Sequence, residues 1–193
     1  MRVLLIGPPA SGKGTQGRRL AERFDVAYLS SGELLRAEVA AGTDLGRRVA
    51  GDLAGGDLVP DDVMLDVLRE PLAAALTSGG YVLDGFPRTV AQARSLDSMA
   101  AEMGGAPEVA AWFDVEDSVL LQRTRSRASI EGRTDDADAV ARHRIDVYNA
   151  ATAPLIDYYR KAGLLIRIDA ARDIDDVTAD VARVLEPFAS RSR

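Results

Sequence analysis

The chain has 193 residues, no cysteine, a net charge of −6, and 47% apolar and 28% charged residues. That is enough for one globular domain with a sizeable core. It excludes disulfides and cysteine-ligated zinc, and the acidic balance argues against a general nucleic-acid-binding surface. No apolar run is long enough to cross a bilayer, and MRVLLIG leads straight into a strand with no room for a signal peptide, so a cytoplasmic location is expected.

Residues 2 to 6 read as a buried strand, and a helical pattern follows over 12 to 24. Between them lies GPPASGKGTQ, residues 7 to 16, in which Gly7, Gly12 and Lys13 hold the P-loop spacing G-x-x-x-x-G-K. Small side chains let successive backbone N–H groups point into one concavity that holds phosphate oxygens. The helix opening after Gly12 adds unpaired N–H groups and the positive end of its dipole. Lys13 adds a mobile ammonium, and lysine occurs elsewhere only at Lys161. Gly14 stands directly after the lysine, with Thr15 supplying the hydroxyl one residue later. If φ is positive at Ala10, its methyl group strains the turn.

Further along, 27 to 29 is a short strand, and SSGELLR at 30 to 36 opens a helix that Ser30 or Ser31 can cap and Gly42 ends. A short helix spans 44 to 54, a turn 55 to 62, and a longer helix 61 to 78, which Gly79-Gly80 stops. The next strand, 81 to 84, runs into GFPR; then come a helix over 89 to 103, a strand over 109 to 115 and a helix from 117 to about 127. Residues 128 to 138 read as a polar loop, followed by a long helix to about 162, a strand at 164 to 168, a helix at 173 to 188 and a frayed tail from Ala189. Alternating strands and helices predict an α/β fold of three layers around a mainly parallel five-stranded sheet. Segments 30–59 and 126–136 interrupt the alternation. They read as a small helical substrate-binding insertion and a short lid on a core of 1–29, 60–125 and 137–193.

Two constellations carry chemistry. Asp84 ends a buried strand, where a carboxylate is costly unless it meets something charged; it can hold water around Mg²⁺ near the P-loop. Arg36, Arg88, Arg123, Arg127, Arg133 and Arg144 can neutralise a cleft that receives two nucleotides, since guanidinium groups bind phosphate oxygens bidentately. Spacing alone does not select among them. His143, the single histidine, reads as a solvated or packed residue and not as a base.

Motifs in order along nearly the whole chain — GPPASGKGTQ, YLSSGELLR, DLVPDD, LDGFPRTVAQA, and GRTDD with Arg144 eleven residues after Arg133 — resemble the adenylate kinases. The resemblance implies a short-lid kinase without structural zinc. It would transfer a phosphoryl group reversibly from MgATP to AMP, giving two ADP, and so maintain adenine nucleotide balance. The expected partners are ATP, AMP and ADP, with Mg²⁺ as cofactor, no nucleic acid, no membrane and a monomeric state. By the same resemblance, Ala10, Ser11, Gly12, Lys13, Gly14, Thr15, Arg127 and Arg172 bind ATP. Ser31, Arg36, Asp57, Leu58, Val59, Gly85, Phe86, Pro87, Arg88, Gln92, Arg133 and Arg144 bind AMP, with Gln92 reading adenine. Lys13, Arg88, Arg123, Arg133 and Arg144 are the catalytic set, Asp84 holds Mg²⁺ through water, and Asp135 and Asp136 organise the closed lid. The alternatives are a UMP/CMP kinase of the same architecture and a catalytically weak nucleotide-binding regulatory module. Ser31 and Gln92 favour AMP over the first, and the presence of Lys13 and the arginines argues against the second.

Overall fold

A computed structural model of the chain describes residues 1–131 and 138–189, with side chains described except at 127–131 and 138. Strands β1 (Arg2–Ile6), β2 (Ala27–Ser30), β3 (Tyr81–Asp84), β4 (Val109–Asp114) and β5 (Leu165–Asp169) form one sheet in the order β2-β3-β1-β4-β5, every neighbouring pair parallel. Parallel neighbours need crossovers, and helices supply them: α1 (Lys13–Phe24), α2 (Ser31–Ala41), α3 (Asp44–Gly55), α4 (Asp61–Thr77), α5 (Val90–Glu102), α6 (Asp117–Glu131), α7 (Asp138–Val147), α8 (Ala153–Lys161) and α9 (Ile174–Ala189).

The central strands are apolar on both faces because both are covered. Val3, Leu5, Val82, Ala111 and Phe113 meet Leu20 of α1 and Val177, Val181 and Leu185 of α9. Leu4, Ile6, Leu83 and Ala110 meet Leu68 and Leu72 of α4, Leu96 of α5, and Leu155 and Tyr159 of α8. Each fully buried Val, Leu, Ile or Phe among them contributes about 1.5–3 kcal/mol relative to exposure.

From β1 the chain crosses to β2 on one side, and from β3 it crosses to β4 on the other. The connections therefore part between the adjacent strands β1 and β3, where Leu5 is level with Asp84. A crevice outside the carboxyl ends at such a point is where open α/β sheets bind ligands. The register Ser30↔Asp84 brings the start of α2 to the same end.

Four elements differ from the sequence reading. The expected polar loop from 128 begins later, since α6 continues to Glu131; no glycine or proline interrupts that stretch before Gly132. The expected long helix to 162 is broken by a π-helical segment, Tyr148–Thr152, between α7 and α8. Pro154 has no N–H to donate to the carbonyl four residues back. The ladder widens there, and the Ala153 N–H bonds the Tyr148 carbonyl. Ser30 does occupy the N-cap of α2, but its side chain makes no capping bond. Ala189, expected to begin a frayed tail, still belongs to α9, and the tail beyond it lies outside the described residues.

Candidate active site

The P-loop leaves β1 and returns as α1. Gly12 stands at the N-cap of α1 with φ 95°, left-handed backbone that suits glycine. Ala10 adopts φ 61° without being glycine, which places a Cβ in the crowded left-handed region at a cost of about 1–2 kcal/mol. The Lys13 ammonium reaches back over the loop, donating to the Pro8 carbonyl at 2.7 Å and to Ser11 Oγ at 3.2 Å. It therefore lies across the loop that its own backbone helps to form.

Beside the loop, buried Asp84 accepts a hydrogen bond from the Tyr28 hydroxyl at 3.0 Å on Oδ2. Tyr28 can lie there because residue 17 is glycine: a Cβ on Gly17 would come within 2.5 Å of the Tyr28 ring. Burial, and then the Asp84 charge, raise the Tyr28 pKa, so the phenol stays a donor. A Cβ on Gly14 would lie 3.7 Å from Asp84 Oδ2, which measures how near the carboxylate stands to the phosphate loop. A single buried carboxylate next to a P-loop fits the way Mg²⁺ is held, since that ion keeps several waters and takes its remaining ligands from one or two carboxylates and substrate phosphates. Among the described residues no group of three or more His, Asp or Glu side chains could hold a metal by itself.

After β3 the chain turns through Gly85, Phe86 and Pro87 to half-buried Arg88, with a cis bond between Phe86 and Pro87. Arg88 Nε donates to the Gly85 carbonyl at 2.8 Å. Burial lowers the Arg88 pKa, Asp84 opposes that shift, and Arg36 reinforces it. Arg36 folds back over the first turn of α2, where a Cβ on Gly32 would sit 3.2 Å from its guanidinium. The fully buried Ser31 hydroxyl lies under Gly85, 2.6 Å from where a Cβ on that glycine would be, and has no hydrogen-bond partner among the described residues.

These groups share one cleft of about 920 Å³. Its walls include Ala10 to Thr15, Arg36, Leu58, Asp84, Gly85, Pro87, Arg88, Arg123, Arg144 and Arg172. A smaller pocket adjoins it, lined by Asp57, Leu58, Val59, Phe86 and Gln92 with Leu35, Leu53 and Met64. Arg123 is held by the carbonyls of Ala170 (2.9 Å) and Ala171 (3.3 Å), just beyond β5. Arg172 turns its guanidinium to Asp180 and, at 3.8 Å, to Asp169. Arg144 packs along Gly56, where a Cβ would fall 2.5 Å from its Cγ. The Arg127 side chain lies outside the described residues, as do Arg133, Asp135 and Asp136.

The structure also adds polar partners that sequence reasoning missed. Tyr28 is one; its signal was an aromatic residue on a strand facing a small position of α1. Asp61 is another, bonded to Gln92. His143, read as solvated or packed, is about half exposed and pairs with Asp57 at 2.7 Å, which links α7 to the turn after α3.

A parallel sheet with a P-loop at the tip of its central strand, facing an aspartate and an arginine-lined second half across one cleft, defines a P-loop phosphotransferase. The family profile described as adenylate kinase matches residues 5–164. Adenylate kinase from Stenotrophomonas maltophilia strain K279a is 40% identical over 186 residues, covering 96% of this chain and all of that relative. Adenylate kinase from Xanthomonas euvesicatoria pv. vesicatoria strain 85-10 is 43% identical over 185 residues, covering 96% of this chain and 99% of the relative. Adenylate kinase from Methylorubrum populi strain ATCC BAA-705 is 43% identical over the whole of this chain and 99% of its own. The chain belongs to the adenylate kinase family.

Proposed function

We propose that the protein transfers a phosphoryl group reversibly from MgATP to AMP, giving two ADP, and so balances the adenine nucleotides. The observation that carries this reading is the pairing, on one cleft, of a P-loop with Lys13 on one side and Arg36 and Arg88 beside a small pocket lined by Leu58, Val59, Phe86 and Gln92 on the other.

In this reading the backbone of Ala10 to Thr15 and the Lys13 ammonium hold the ATP phosphates, and Arg127 and Arg172 flank the rest of that nucleotide. Arg36 and Arg88 hold the AMP phosphate and keep its attacking oxygen in line with the γ-phosphorus of ATP. Arg123, Arg133 and Arg144 balance charge on the transferred group. Asp57, Leu58, Val59, Phe86, Pro87 and Gln92 surround the AMP base, with Ser31 and Gly85 beneath it. Asp84 would hold Mg²⁺ through water, and the bound ion would neutralise phosphate charge. Segments 30–59 and 126–136 close over the cleft, with Asp135 and Asp136 ordering the lid, to keep out water that would otherwise accept the phosphoryl group. The protein acts as a cytoplasmic monomer with ATP, AMP and ADP as its partners, without nucleic acid or membrane.

A panel of nucleoside monophosphates with MgATP tests the assignment. AMP should give the highest kcat/KM, because a polar base site rejects ligands whose hydrogen-bonding edge does not match. Equal or better kcat/KM with CMP or UMP would overturn it.

A further inference from the structure

Gln92 is 2% exposed, and both ends of its side-chain amide are already engaged. Its Oε1 accepts from the Arg88 backbone N–H at 2.7 Å, and its Nε2 donates to Asp61 Oδ1 at 2.8 Å. The backbone N–H can only donate and an ionised carboxylate can only accept. The two partners therefore fix which way round the amide stands, with oxygen toward the strand end and nitrogen toward the start of α4. An amide carries two N–H bonds and two oxygen lone pairs. After these two contacts one N–H and one lone pair remain, in a pocket shared with Leu58, Val59 and Phe86.

We propose that Asp61 is a positioning residue for base selection: by holding the Gln92 amide in one orientation, together with the Arg88 N–H, it sharpens the pocket's selection of 6-amino purines over 6-oxo purines. The inference rests on the reading that Gln92 faces the acceptor base. Adenine offers an N6–H donor beside the N1 acceptor. Hypoxanthine offers the same two positions with the roles exchanged, an O6 acceptor beside an N1–H donor. An amide free to turn over would satisfy either edge; a fixed amide satisfies one and sets acceptor against acceptor in the other. Asp61 is exposed and lines neither pocket; among the described residues its side chain bonds Gln92, so its effect on selectivity is indirect.

The test compares kcat/KM for AMP and for inosine monophosphate, with MgATP as donor, in the wild type and in Asp61→Ala, Asp61→Asn and Gln92→Ala, beside thermal melts. In Asp61→Ala the Arg88 N–H still favours the native orientation but Nε2 loses its anchor, so the AMP preference should fall about tenfold, the worth of one hydrogen bond to a charged group. In Asp61→Asn, whose carbonyl can still accept from Nε2, most of the preference should return. Gln92→Ala should lose the preference as well. If Gln92→Ala loses it but Asp61→Ala keeps the wild-type ratio, the positioning role is overturned while base reading by Gln92 stands. If Asp61→Ala lowers both activities equally, in step with a lower melting temperature, Asp61 only ties α4 to α5 and the proposal fails. If Gln92→Ala itself keeps the ratio, the base-reading assignment falls and the proposal with it.

Discussion

Arg88 occupies a position that a purely structural arginine would not need. It follows a turn through Phe86 and Pro87, its Nε is spent on the Gly85 carbonyl, and burial opposes its charge with Asp84 in partial compensation. A planar fork held in this way can bind a phosphate through its remaining N–H groups, which a lysine cannot reproduce. Replacing Arg88 by Ala should remove roughly 2–4 kcal/mol of transition-state stabilisation, about 10²–10³ in kcat/KM for AMP. Arg88→Lys should recover part of it. Melting temperatures of both variants should change little. Near-normal kcat/KM in the alanine variant would reduce Arg88 to a surface ion pair of small worth. Ala10 shows the limit of residue-by-residue reading. The sequence locates the tight turn and raises the question of a positive φ, and the structure answers it at 61°.

At the scale of elements, α2 and α3 are tied to the rest of the fold beyond their own loops. Gly56 packs on Arg144, and Asp57 bonds His143, so the turn after α3 already touches α7. If the insertion and the lid close on substrates, a bisubstrate inhibitor bridging both nucleotide sites should slow amide hydrogen exchange in 30–59 and 126–136. Unchanged exchange in both segments under saturating inhibitor would count against closure. The elements themselves were largely legible, because strand, P-loop and helix signals are local and periodic. What joins them was not. Tyr28–Asp84, Asp61–Gln92 and Asp57–His143 link residues 56, 31 and 86 positions apart, and no local pattern encodes such a pair. The π segment at Tyr148–Thr152 was missed for a related reason: Pro154 announces an interruption, but several backbone solutions satisfy it and packing chooses between them.

For the whole molecule, charge is divided unevenly: the chain is net −6, yet its cleft is walled by Lys13, Arg36, Arg88, Arg123, Arg144 and Arg172. The functional reading was legible at this scale because its motifs lie in separated segments that only a common fold brings to one crevice. The crowding of cations also bears on folding. Burial depresses the Arg88 pKa, Asp84 opposes that, and Arg36 adds to it, so the native state holds like charges closer together than the unfolded chain would. Any small polyanion that settles between them acts by mass action as a folding aid, whether or not it can react. At a hundredfold excess over its dissociation constant such an occupant adds about 2.7 kcal/mol, or roughly 5–10 °C in melting temperature for a domain of this size. Millimolar inorganic diphosphate should therefore raise the melting point well above that in chloride of equal ionic strength, and Arg88→Ala should blunt the rise; identical melts in the two salts would refute it. Cellular phosphate compounds would then set this protein's thermal tolerance as well as its workload, and starvation for them would lower both together.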